Sequence, residues 1–149
     1  MSTPILTSPT ERIALNRLLW VAPLAIIASV TANLVLFFVA DALFGVAWEP
    51  MFSVAPVTGA SVAYLLIATF VFAAVGRFAK RPIWLYQRIA LAALVLSFFT
   101  PVSALLGMAA PPGAAASPAP LDTFVVMILM HIVAYAISTP MFTRLARAA

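Results

Sequence analysis

Mainly apolar residues run through this chain in four long blocks, at about 18–44, 54–76, 83–107 and 121–142, with short polar, charged or proline-rich stretches between them. An α-helix needs about 20 such residues to cross the roughly 30 Å hydrocarbon layer of a bilayer. All four blocks reach that length. Strands are a poor alternative, because open edges would leave backbone groups unpaired in lipid. The pattern predicts an all-α membrane protein, an antiparallel four-transmembrane-helix bundle in which residues 1–149 form a single membrane domain.

The blocks differ in detail. The first is long enough to tilt or to continue into the interface. Its apolar run far exceeds the roughly 7–15 residues of a signal-peptide core, so it reads as an uncleaved span. Residues 1–11, rich in Ser, Thr and Pro, are expected to be disordered, with a short interfacial helix starting near Thr10-Glu11-Arg12. The third block begins in the interface, where Arg88 can snorkel back to the head groups. Pro82 suits the first turn of that helix. Thr100-Pro101 should kink it, with a neighbouring hydroxyl partly satisfying the freed carbonyl. Trp20, Trp48, Trp84 and Tyr86 all fall near predicted boundaries, where amphipathic rings prefer to lie. The connection over 108–120 contains PPGAAASPAP and reads as a flexible outer loop. The shorter 45–53 connection, with Trp48-Glu49-Pro50-Met51-Phe52, is expected to fold back onto the outer leaflet.

Charge adds orientation. The eight basic residues occupy three places: Arg12 and Arg17 before the first block, Arg77, Lys80, Arg81 and Arg88 around the second junction, and Arg144 and Arg147 after the last. The other two connections carry no Lys or Arg, and they or their edges hold Asp41, Glu49 and Asp122. Basic loops stay on the cytoplasmic side during insertion, so both termini are expected to be cytoplasmic. The net charge of +4 therefore borders apolar segments and faces anionic head groups of the lipid bilayer; nucleic acid is not expected as a partner. Composition agrees, with 65% hydrophobic and 8% charged residues. The absence of cysteine removes disulfides, thiol chemistry, iron–sulfur clusters and thiolate zinc sites.

Candidate chemistry is sparse. His131, the only histidine, lies near the middle of the fourth block. An ionisable group at that depth is a functional candidate, either as an axial ligand to a tetrapyrrole or as a proton-relay group. The plainer reading is a neutral ring hydrogen-bonded for packing, with Tyr135 at i+4 as a partner. Asn33, Tyr64, Ser97 and His131 all fall near the central plane and are expected to form an interhelical hydrogen-bond layer or a small polar pocket. Ala25/Ser29, Ala28/Ala32, Gly59/Ala63 and Ala134/Ser138 recur at four-residue spacing, the signature of close helix packing. Asp41, Glu49 and Asp122 share the outer side without any ligand spacing that supports a cation site, and Asp122 reads as an N-cap. No nucleophile–base pair, HExxH motif or phosphate loop is present, so no catalytic residues and no metal are expected.

The stretch from Arg17 to Asn33, the segment Arg77-Phe-Ala-Lys-Arg-Pro82, and Met130-His131 with Arg144-Leu-Ala-Arg147 resemble an uncharacterised family of small bacterial four-helix membrane proteins. The resemblance covers about 12–147. It implies a four-span fold in a bacterial plasma membrane and brings no chemistry with it. Three classes of function follow. The first is a non-enzymatic accessory or assembly subunit that packs against other membrane subunits or against itself. The second is a binding protein for a lipid, quinone or tetrapyrrole near His131, Tyr135, Asn33 and Tyr64, no cofactor being required by the sequence. A small transporter or membrane enzyme is the third.

Overall fold

The computed structural model describes residues 13–49, 51–108 and 117–147; the N-terminal 1–11 segment and most of the proline-rich loop lie outside them. A single 3-10 turn, Leu15–Arg17, leads into α1 (Leu18–Phe44). Then come α2 (Val54–Phe78), α3 (Pro82–Ser97), α4 (Phe99–Leu105) and α5 (Leu121–Pro140), which ends in a π-helical segment, Met141–Leu145. Among the described residues the protein is all-helical, apart from two isolated β-bridges. Four helical stretches are long and apolar enough to cross a membrane: Leu15–Phe44, Val54–Phe78, Pro82–Leu105 and Leu121–Leu145. Large apolar side chains point outward along all of them, with Leu19, Phe70, Phe78, Leu96 and Phe99 at least 70% exposed. In water such a surface would drive aggregation; in a bilayer it meets acyl chains.

The third block is two helices, not one kinked helix. Pro101 has no N–H for the Ser97 carbonyl and its ring crowds that turn, so α3 stops at Ser97 and α4 restarts at Phe99. The hydroxyls that bond local carbonyls are those of Ser97, to Leu94 O, and Ser103, to Thr100 O; Thr100 is not among them. The fourth block also departs from a plain helix. Pro140 supplies no N–H to the preceding turn, and the register widens into the π segment that follows it.

α1 packs against α2 and α5, and α3 packs against α2 and α5, so the four stretches form a square with α1 and α3 on opposite corners. Two packed clusters hold the square. One gathers Leu18, Val21, Phe72, Tyr86 and Phe142, where the Phe72 and Tyr86 rings meet edge-on at 4.7 Å and Phe142 stacks on Phe72 at 5.5 Å. The described residues nearest the two ends, Ile13 and Ala146, lie in or against this cluster. Ala14 N–H donates to Ala146 O at 2.9 Å and the Arg17 guanidinium donates to Arg147 O at 2.8 Å, capping carbonyls that the last turn leaves unpaired. The second cluster gathers Phe37, Ala40, Val46, Phe52, Val57, Val126 and Met130.

The described part of the 45–53 connection packs at the second end. Gly45 adopts the left-handed conformation (φ 64°) that terminates α1. Trp48 and Phe52 then pair through two backbone hydrogen bonds, so this connection folds onto the protein, with Phe52 buried against Phe37 at 5.3 Å. The Asp41 carboxylate accepts from Ala47 N–H, and Thr123 Oγ1 donates to Val46 O across to α5. Asp122 is not the N-cap: that position is Pro120, and the Asp122 carboxylate sits in the first turn, accepting from Thr123 N–H. The end of the proline-rich loop is held in place, since Ala119 is buried and its N–H donates to Ala104 O.

Candidate functional site: a cavity between two packed layers

α3 touches the rest of the protein mainly through its start. Only Pro82 and Tyr86 are buried along its length, and burial resumes at Pro101 and Ala104 of α4. Leu85, Ile89 and Ala90 still pack against the first cluster and Phe98 meets the His131 ring, so about two turns, over Leu91–Ser97, are the loosely packed part. The break at Phe98 turns the chain so that α4 can pack again. The space left behind is a cavity of about 350 Å³. Tyr86 of the first cluster closes one end and Phe52, Val57 and Met130 of the second close the other. The rim is exposed on Ala60, Tyr64 and Ile67 of α2 and on Ala93 and Thr100 opposite, so the cavity opens sideways between α2 and the α3–α4 pair. That opening lies along the sides of the helices, between their ends.

The polar residues expected near the central plane, together with Tyr135, line this one space: Asn33 from α1, Tyr64 from α2, Ser97 from α3, and His131 and Tyr135 from α5. They do not form a connected hydrogen-bond layer. One interhelical bond joins them to a neighbour, from Asn33 Nδ2 to Ser61 Oγ at 3.0 Å. Asn33 is 4% exposed and its Oδ1 is buried with no hydrogen-bond partner. Ser97 bonds within its own helix. His131 Nδ1 lies 2.6 Å from Met127 O, one turn back on α5, so the hydrogen-bond partner is this carbonyl in place of Tyr135. Phe98, at the break, lies edge-on to the imidazole at 6.3 Å.

Helical spacing contained a signal for some of the lining that the sequence left unassigned. Ser61 lies three residues before Tyr64 and therefore on the same face of α2. Ser138, read from the sequence only as half of a packing pair, is buried, donates to Ala134 O at 2.7 Å and also lines the cavity. Met127, four residues before His131, and Thr139, four after Tyr135, carried the same signal on α5, whereas Met51 had none, since its placement depends on the Trp48–Phe52 turn.

The lining includes no Asp, Glu, Lys or Arg. Its walls are mostly aliphatic and aromatic, dotted with hydroxyls and one imidazole. Such a space accommodates a neutral, largely apolar molecule and gives no counter-charge to an ion. Among the described residues no three His, Asp or Glu side chains gather to hold a metal. Compared with protein-family models, with curated proteins and with solved structures, the chain matches none. Fold and cavity together define the class: an all-helical chain with four helices able to cross a membrane, enclosing a laterally open apolar cavity.

Proposed function

We propose that this chain is a multi-pass protein of a bacterial plasma membrane that binds a small hydrophobic ligand in the cavity beside His131. The observation that carries the reading is the cavity itself, in which the one histidine and the central polar residues of all four spans share a lining. Interhelical packing alone gives no reason for α3 to stay loosely packed between Ala90 and Phe98, since close approach of helices is what stabilises a bundle in lipid. The membrane setting is supported by the four spans and by the sorting of basic residues. In this arrangement the spans run up and down, with both termini and Lys80-Arg81 in the cytoplasm. Single cysteines placed by Asn16→Cys and Ser117→Cys in this cysteine-free chain test it; labelling of position 117 from the cytoplasm would reverse the orientation.

Native mass spectrometry of the protein purified in mild detergent tests the ligand reading. One retained small molecule per chain is expected, and His131→Ala should release it. An absorbance spectrum of the same sample reports whether that molecule is a tetrapyrrole. Wild-type protein that neither retains a small molecule nor takes one up from added lipids and quinones would refute the reading.

A second reading is favoured by a separate observation. Gly59 and Ala63 are exposed on α2, and nothing lies within 4 Å of a Cβ added at Gly59. A small-residue face unused within the chain is suited to close packing by another helix, as in an accessory or assembly subunit. Co-purification of another subunit, lost on Gly59→Leu, is the outcome this reading expects.

A further inference from the structure

The hydrogen-bonding polarity of the cavity narrows the ligand. A carbonyl can only accept, so the 2.6 Å contact to Met127 O requires His131 Nδ1 to carry the proton. In the neutral ring Nε2 is then an acceptor, and no donor among the described residues bonds to it. Ser97 and Ser138 donate their hydroxyl hydrogens to Leu94 O and Ala134 O, so each presents only lone pairs to the cavity. Asn33 uses its amide N–H toward Ser61 and keeps an unpaired Oδ1 in the same wall. Each of these groups with an assigned role therefore offers an acceptor. Ser61, Tyr64, Thr100, Tyr135 and Thr139 also line the space, but the hydrogen of each of these hydroxyls is uncommitted, so each donates or accepts and selects neither.

Charge narrows it further. With no acidic side chain in the lining an ammonium would be buried unpaired, and with no Lys or Arg the same holds for a carboxylate or phosphate. We infer that the cavity selects a neutral, largely apolar molecule bearing a hydroxyl group, and binds the corresponding ether or carbonyl compound more weakly. The hydroxyl donates to His131 Nε2, while the remainder of the molecule fills the apolar walls and leaves through the α2–α3 opening. A carbonyl placed there would set lone pairs against lone pairs. The inference rests on the ligand-binding reading.

Two matched series separate an aromatic from an aliphatic hydroxyl. The first is a decyl-substituted hydroquinone, its dimethyl ether and the parent quinone, handled without oxygen; the second is dodecan-1-ol and its methyl ether. Binding is measured by calorimetric titration of the full chain in nanodiscs. In at least one series the hydroxyl compound should bind at least threefold, and up to about tenfold, more tightly than its ether or carbonyl partner, the scale of one hydrogen bond. The series that shows the preference identifies the kind of hydroxyl. His131→Ala should bring each matched set to within about twofold, and His131→Gln, which keeps an acceptor, should restore part of the preference. If in neither series the hydroxyl compound binds the wild-type chain more tightly than its ether or quinone counterpart, the polarity inference is overturned and ligand binding is left intact. Failure of every probe to bind overturns the ligand reading and the inference with it. The wild-type comparison needs no variant to fold.

Discussion

Replacing Asn33 by leucine should stabilise the ligand-free protein, even though it deletes an interhelical hydrogen bond. Asn33 lies within the square, 4% exposed, where its Nδ2 reaches Ser61 Oγ at 3.0 Å and its Oδ1 has no partner. Hydrogen bonds between membrane helices contribute about 0.6 kcal/mol on average, and up to ~1.7 kcal/mol. A buried, unsatisfied oxygen costs about 1–3 kcal/mol. Leucine branches at the same carbon as asparagine and removes both terms, so the net gain is about 0.5–2 kcal/mol. Ser61→Ala acts in the opposite sense. It strands the Asn33 amide while leaving Oδ1 unpaired, and should cost about 1–3 kcal/mol. In the double variant the Ser61 change should lose most of its effect, because the amide it served is gone. Steric trapping or reversible unfolding in mixed micelles measures all three. Asn33→Leu that destabilises by more than about 1 kcal/mol would refute the reasoning, since Oδ1 must then be satisfied in the native protein.

Other consequences follow from single positions. Gly45→Ala should cost about 1–2 kcal/mol in the same unfolding assay, because φ is 64° there and the left-handed conformation is strained with a Cβ. Gly59→Ala should instead gain about 0.5–1 kcal/mol, the difference in helix propensity, since the added Cβ meets nothing within 4 Å. Thr123→Val removes the hydroxyl that bonds Val46 O between α1's end and α5; a loss of about 1 kcal/mol is expected, with faster hydrogen exchange in the 45–53 connection. Phe142→Ala takes away a fully buried ring in contact with Phe72 and Tyr86, and should cost roughly 3 kcal/mol and lower the unfolding temperature accordingly.

Much of the protein was legible in its sequence, because a bilayer constrains a chain more tightly than water does. Backbone groups in lipid must pair within their own segment, so the four apolar blocks had to be helices, and their lengths placed the spans to within a few residues. The polar residues at mid-span were legible for the same reason: Asn33, Tyr64, Ser97 and His131 stand out where nearly every neighbour is apolar, and all of them line one cavity. What each polar group bonds to depended on tertiary structure. His131 turns to its own backbone at Met127 in place of Tyr135, and Asn33 finds Ser61, whose significance appears only once α1 and α2 lie side by side. The cavity was not legible either. Pro101 announces a bend, but only the packed structure decides that α3 loosens from its neighbours after Ala90 and that α4 is buried again at Pro101 and Ala104. Local chemistry sets where a helix must break; the space the break leaves is set by which side chains meet across helices, and that is decided when the helices assemble.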